Sequence, residues 1–185
     1  MTPVSRSEGP DRKLVRHAAV LIPLFRDEEG DIRLVLVRRG PGGVHGGQLA
    51  FPGGNREPAD VSMLETALRE ASEEIGLDRD QVTILEELPT FETRTTGYSI
   101  SSFLARIVPT RPWRPLETEI AEVLEVRIAD LLRPGAHDET IEEFPTWKEP
   151  QRIVFYRVGP YRLWGLTYRI LHPLLPRLVA GAWSV

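Results

Sequence analysis

The segment that most constrains this chain is residues 69–77, REASEEIGL, where three glutamates recur at a spacing that only a helix gathers onto one surface. At about 100° per residue, with Glu70 as zero, Leu64, Ala67, Leu68, Ala71 and Ile75 fall between about 60° and 160°, a coherent core stripe. Glu70, Glu73 and Glu74 fall on an adjoining arc of about 100°. The pattern predicts a helix over residues 62–75, stopped by Gly76. Carboxylates three and four positions apart repel one another, so their spacing makes sense if a cation sits among them. Hard oxygen ligands of this kind suit Mg²⁺ or Mn²⁺. Arg69, four residues before Glu73, can pair with it and hold its orientation. The plainer reading of such a helix, a solvated acidic face, is weighed against the residues upstream.

Composition narrows the partners. The chain has 185 residues, 41% of them hydrophobic, which suffices for one good core. We expect an N-terminal polar arm, residues 1–15, and a single domain over 16–185. With no cysteine, disulfide frameworks, thiolate catalysis and zinc-thiolate sites are excluded. The formal net charge of −4 argues against bulk nucleic acid as a partner. No apolar run approaches the ~20 residues of a membrane span, and the N-terminus lacks the apolar stretch of a secretory signal. The cytoplasm is the expected location.

Residues 16–25 and 32–38 read as a strand hairpin around the turn DEEG. Five glycines fall within residues 40–47, a loop where backbone has to approach something closely. Residues 82–88, 98–107 and 121–126 are further strands, and 128–132 a short helix. Residues 152–158 and 161–164 suggest a second hairpin. Residues 166–180 look helical, kinked or split by Pro173 and Pro176. This mixture predicts an α+β chain with a mixed sheet sandwiched by helices. The apolar tail, residues 174–185, is either a homodimer interface or the last layer of the core.

Residues 54–77 closely resemble the Nudix box, G-x5-E-x7-R-E-U-x-E-E-x-G-U, where U is apolar. Gly54, Arg69, Glu70, Ala71, Glu73, Glu74, Gly76 and Leu77 match. Asp60 stands at the first acidic position, and one extra residue separates it from Arg69. The resemblance implies an α/β/α sandwich and metal-dependent hydrolysis of a diphosphate bond in a nucleoside diphosphate derivative. It implies that Glu70, Glu73 and Glu74 bind the metals, with Glu74 the bridging ligand, and requires no covalent nucleophile. The general base stays open between a box glutamate and a later residue. Glu119 is the favoured extra ligand or base, and Glu122 the next candidate; a solvated acidic loop is the plainer reading of either.

Residues 34–54 resemble the signature of the coenzyme A pyrophosphatase branch, L-L-T-x-R-[SA]-x3-R-x3-G-x3-F-P-G-G. Leu34, Arg38, Gly47, Phe51, Pro52, Gly53 and Gly54 match, and the later run RLWGLT, residues 162–167, is also similar. The chain departs at Leu36, at Arg39, where a small residue is expected, and at Gly43, where a second arginine is expected. This likeness implies cleavage of coenzyme A or an acyl-CoA to 3′,5′-ADP and (acyl-)4′-phosphopantetheine. The departures leave ADP-ribose, NADH, dinucleoside polyphosphates and nucleoside triphosphates open as substrates, and a non-catalytic nucleotide-binding regulator as another class. The residues expected to contact substrate are Arg38, Arg39, His45, Gly53, Gly54 and Arg94. Trp147, Tyr156, Tyr161 and Trp164 are candidates for stacking on an adenine ring or for packing.

Overall fold

A computed structural model describes residues 15–42, 46–93, 97–109, 111–143 and 149–185. The expected arm, residues 1–15, lies outside them except for Val15. Two apolar, β-branched runs, β1 (Arg16–Arg26) and β2 (Ile32–Arg39), pair antiparallel with Leu24 opposite Leu34. Their turn is tied by Asp27, which accepts from Asp31 N at 2.8 Å and Arg33 Nε at 2.6 Å. The chain continues through β3 (Leu49–Ala50), β4 (Gly53–Asn55), α1 (Met63–Ile75), β5 (Val82–Glu92), β6 (Tyr98–Ile107) and β7 (Ile120–Arg127). These strands form one seven-stranded sheet along the path β3-β2-β1-β6-β5, with β4 also on β1 and β7 on β2. The β1–β6 pair is parallel and the other pairs are antiparallel, so the sheet is mixed.

Alternation along the central strands sends side chains to two cores. Ala19, Leu21, Phe25, Val35 and Val37 face α1, whose Ala67, Leu68, Ala71 and Ile75 close that side. Ile22, Leu24, Leu34 and Leu36 face the opposite layer. That layer is built from α2 (Ile128–Leu131), β8 (His137–Glu142), β9 (Gln151–Val158), β10 (Tyr161–Leu163), α3 (Gly165–Leu171) and α4 (Leu174–Val179). Each fully buried leucine or isoleucine contributes roughly 1.5–3 kcal/mol on removal from water.

The structure corrects some expectations and decides others between their alternatives. β8, β9 and β10 form a separate three-stranded sheet, and β8 was not foreseen because HDETIE carries one apolar residue in six. The strand expected over 82–88 runs on to Glu92 through Pro89. That is tolerated because β5 is an edge strand whose register slips between Leu88 and Phe91. The C-terminal helix is split at Pro173 into α3 and α4. Leu174, Leu175 and Leu178 are buried and Trp183 and Val185 pack on the same core, so the tail is a core layer.

One irregularity positions the site. Arg38 pairs with Glu122 and Arg39 with Ile120, which leaves Ala121 as a β-bulge in β7. Without the bulge, Ile120 would share a face with Glu122, Leu124 and Val126. With it, Ile120 joins the α1 core while Leu124 and Val126 pack on the other.

Candidate active site

The carboxylate-bearing helix is fixed at both ends. Ser62 caps it by accepting from Glu65 N at 3.1 Å. Gly76, at φ 69°, ends it in the left-handed conformation, its N–H on Ser72 O at 3.0 Å. The apolar stripe against the sheet then sets which side Glu70, Glu73 and Glu74 occupy.

Of the two glycines of β4, Gly54 lets Glu70 in and Gly53 lets the strand lie close against β1. A Cβ at Gly54 would lie 2.4 Å from Glu70 Oε1, and one at Gly53 would lie 2.3 Å from Ala19 O. Gly53 N donates to Glu74 Oε2 at 2.9 Å. Glu74 is 2% exposed. Burial pushes its carboxyl up to about 7, with the Gly53 N–H and Arg39 opposing and Glu70 and Glu119 adding to the rise. Burial likewise raises Glu70, against the pull of Arg69, and Glu73 and Glu119 add to it. Glu73 is half-exposed and meets Arg69 Nη1 at 3.0 Å.

Arg69 does more than orient Glu73. Its Nε and Nη2 donate to the two oxygens of Asp60 at 3.0 and 3.2 Å, and Nη2 also reaches Asn55 O at 2.9 Å and Glu70 Oε1 at 3.1 Å. Asp60 is buried and also accepts from Glu57 N at 2.8 Å and Thr66 Oγ1 at 2.9 Å. Arg69 first, then the Glu57 N–H and the Thr66 hydroxyl, holds the Asp60 carboxyl well below the usual carboxylate range. Arg69 thus ties the loop before α1, the strand β4 and the acidic face together. Sequence reading gave Asp60 a place in the box but no partner; an acid near the start of a helix that carries Arg69 nine residues later was the available signal.

The remaining expected residues divide. Arg39 acts on Glu74 from β2, and Glu119 acts on both Glu70 and Glu74. Glu119 is exposed, and its carbonyl accepts from Gly40 N at 2.6 Å. Arg38 and Glu122 pair with each other on the other face of the sheet, away from α1. Gly54 makes room for Glu70, and Gly53 donates its N–H to Glu74. His45, Arg94 and Trp147 lie outside the described residues. Tyr156 is buried, with its hydroxyl 2.7 Å from His172 Nδ1.

Among the described residues, no three acidic side chains converge on one point as they stand. Arg69 draws Glu73 and Glu70 towards itself, and Gly53 holds one oxygen of Glu74. The donor set nevertheless suits a hard divalent ion. It is all carboxylate oxygen, Glu74 keeps an oxygen outside the Gly53 hydrogen bond, and the charges of Glu70, Glu74 and Glu119 act on one another. Arg39 adds a cation suited to an anionic substrate.

The mixed sheet, the capped helix and the crowded carboxylates define a family, and comparison with known proteins agrees. The NUDIX domain model matches residues 15–147. The uncharacterized Nudix hydrolase NudL of Photorhabdus laumondii is 32% identical over 160 residues, which cover 86% of this chain and 83% of the relative. NudL of Salmonella paratyphi B is 32% identical over 163 residues, covering 86% and 81%. Among solved structures, a MutT/nudix family protein from Enterococcus faecalis aligns over 94% of this chain and 65% of its own, with a TM-score of 0.65 at 20% identity. The NUDIX domain of Shewanella oneidensis NrtR, solved with ADP ribose, aligns over 68% of this chain and 82% of its own, with a TM-score of 0.52 at 16% identity. The chain belongs to the Nudix hydrolase family.

Proposed function

We propose that this Nudix hydrolase is a divalent-metal-dependent pyrophosphohydrolase whose preferred substrate is coenzyme A or an acyl-CoA, cleaved to 3′,5′-ADP and (acyl-)4′-phosphopantetheine. The observation that carries the chemistry is the crowding of Glu70 and Glu74 at the glycine notch, in the field of Glu119. Glu70, Glu73 and Glu74 would hold Mg²⁺ or Mn²⁺, with Glu73 leaving Arg69 to do so. When bound, the ion supplies positive charge that offsets the diphosphate oxygens and assists deprotonation of water.

The chain's own residues do the rest. Arg39, beside Glu74, meets a diphosphate oxygen and aligns the substrate. Water attacks one phosphorus, the bridging P–O bond breaks, and the leaving phosphate takes the bonding electrons. Glu119 accepts the proton from the attacking water. Arg69, bonded to buried Asp60, anchors the helix carrying the carboxylates.

The choice of coenzyme A is supported by Leu34, Arg38, Gly47 and the run from Phe51 to Gly54. The glycine at position 43 favours a second reading, the same chemistry on another nucleotide such as ADP-ribose, NADH or a dinucleoside polyphosphate. Purified protein, Mg²⁺ and a panel of coenzyme A, ADP-ribose, NADH, dinucleoside polyphosphates and nucleoside triphosphates separate these, with products read by mass. Fastest cleavage of coenzyme A supports the first reading and faster turnover of another member the second. Binding without products makes the chain a nucleotide-binding regulator. Glu74→Gln is expected to abolish turnover with the fold retained; wild-type activity in that variant would remove Glu74 from the mechanism.

A further inference from the structure

Glu119, assigned the proton of the attacking water, sits on an exposed turn just ahead of β7. A long acidic side chain on such a turn has no intrinsic reason to keep one position. Its backbone, however, is held from both sides. Glu119 N donates to Leu116 O at 2.8 Å, and Glu119 O accepts from Gly40 N at 2.6 Å. Leu116 N donates to Glu74 O at 3.0 Å, and Arg114 N reaches Ile75 O at 3.2 Å. Those two carbonyls belong to the last turn of α1, where C=O groups lack partners within the helix. The segment leading to Glu119 is therefore docked on the helix end that carries the Glu74 carboxylate.

Hydrogen bonds thus run from the backbone of Glu74 through Leu116 and Glu119 to Gly40, the residue after Arg39. Glu119 and Arg39, whose charges both act on Glu74, are tied to it by main chain as well. The β2 end of this relay requires a bare α-carbon. A Cβ on Gly40 would lie 3.2 Å from Glu119 O, 3.6 Å from Glu119 C and 3.9 Å from Thr118 O. Each of these atoms is main chain, so no flexible side chain can yield, and the turn itself has to shift by a few tenths of an ångström.

We propose that Gly40 is the positioning residue for Glu119: its N–H and its missing side chain seat the turn against β2 and so fix where the Glu119 carboxylate stands relative to Glu74. The proposal rests on the reading of Glu119 as the base. Two readouts on the full chain test it. In metal-free protein, amide hydrogen exchange followed by NMR reports the clamp itself. The wild-type amides of Gly40, Leu116 and Glu119 are expected to exchange at least about tenfold more slowly than freely solvated amides. Gly40→Ala is expected to remove most of the protection at positions 40 and 119 and leave the amides of α1 and β1 unchanged. The second readout is steady-state kinetics with Mg²⁺ and coenzyme A, or with the member of the panel that is cleaved fastest. Gly40→Ala is expected to lower kcat about tenfold with KM within about twofold, because a displaced base loses contact in the transition state and not in the ground state. Glu119→Gln is expected to lower kcat about a hundredfold or more. In the Glu119→Gln background, Gly40→Ala is expected to change kcat by less than about twofold, since its effect runs through a group already removed.

A loss of kcat that repeats in full in the Glu119→Gln background overturns the assignment, because Gly40 then acts by another route, such as Arg39. Wild-type kcat in Gly40→Ala, or unprotected amides at positions 40 and 119 in wild type, overturns it as well. Unimpaired Glu119→Gln instead removes the base reading, and the positioning role falls with it; a wild type that cleaves no member of the panel removes both together with the hydrolase reading. Should Gly40→Ala fail to fold, Thr118→Gly, which loosens the same turn and leaves Gly40 intact, carries the kinetic cycle: a kcat loss confined to the Glu119 background supports the clamp, and wild-type kcat overturns it.

Discussion

Arg69→Met tests whether the acidic helix is held in place from below by one buried ion pair. The substitution keeps the aliphatic stem and removes the guanidinium from Asp60, Asn55, Glu70 and Glu73. Asp60, with 5% of its side chain exposed, then keeps only the Glu57 N–H and the Thr66 hydroxyl as donors. Removing one partner of a buried pair costs about 3–5 kcal/mol, chiefly through the charge left behind. Because 22% of the Arg69 side chain is exposed, solvent relieves part of that cost, and the lower end, about 3 kcal/mol, is expected. For a chain of this length the melting temperature should fall by roughly 6–12 °C at pH 7.

The pH dependence gives a second handle. The folded-state pKa of Asp60 is depressed, so in the wild type its contribution is present above the ordinary carboxylate value and is lost as pH falls through the lowered one. In Arg69→Met the stranded carboxylate takes up a proton more readily, so the gap between variant and wild type narrows on acidification from pH 7 to pH 3. Thermal melts followed by circular dichroism across that range measure both effects. A variant within about 1 kcal/mol of wild type at pH 7, or a gap unchanged at pH 3, would refute the reasoning.

Two further outcomes follow from the notch and its buried acid. Gly54→Ala places a methyl 2.4 Å from Glu70 Oε1, so Glu70 has to swing away. Hydrolysis should fall about tenfold or more while stability changes by only about 1–3 kcal/mol, and parallel kinetics and urea titrations separate the two. Glu74 has a raised folded-state pKa, so the folded chain binds the extra proton between about 4.5 and about 7, and metal-free protein loses stability as pH rises through that window. The loss is on the order of 3 kcal/mol. It should shrink in Glu74→Gln to the part that Glu70, also raised, still contributes, and be offset in wild type by Mg²⁺, which melts at pH 5 and pH 8 with and without the ion will show.

Local pattern carried most of the architecture. The period of α1, its Ser62 and Gly76 boundaries and the β1–β2 hairpin were legible because each element buries one defined face and is punctuated by a turn residue. β8 was not, since its edge position asks for few apolar side chains and its pairing is supplied by β9. The placement of Glu70, Glu73 and Glu74 on α1 was legible too, but their surroundings were not. That Arg69 spends its fork on Asp60 and Asn55, or that Glu122 turns away from the carboxylates while Glu119 acts on them, depends on long-range packing and on one unpaired residue, Ala121. Neither has a periodicity that a linear pattern displays.

That single inserted position gives β7 a division of labour. Ahead of it Ile120 faces the α1 core; after it Leu124 and Val126 turn to the opposite layer while Val123 stays with α1. Excising Ala121 would restore strict alternation and pull Ile120 out of its apolar niche while the register from Glu122 onward stays put. Point substitutions on either side of it can instead be accepted independently, without renegotiating the backbone between the two faces.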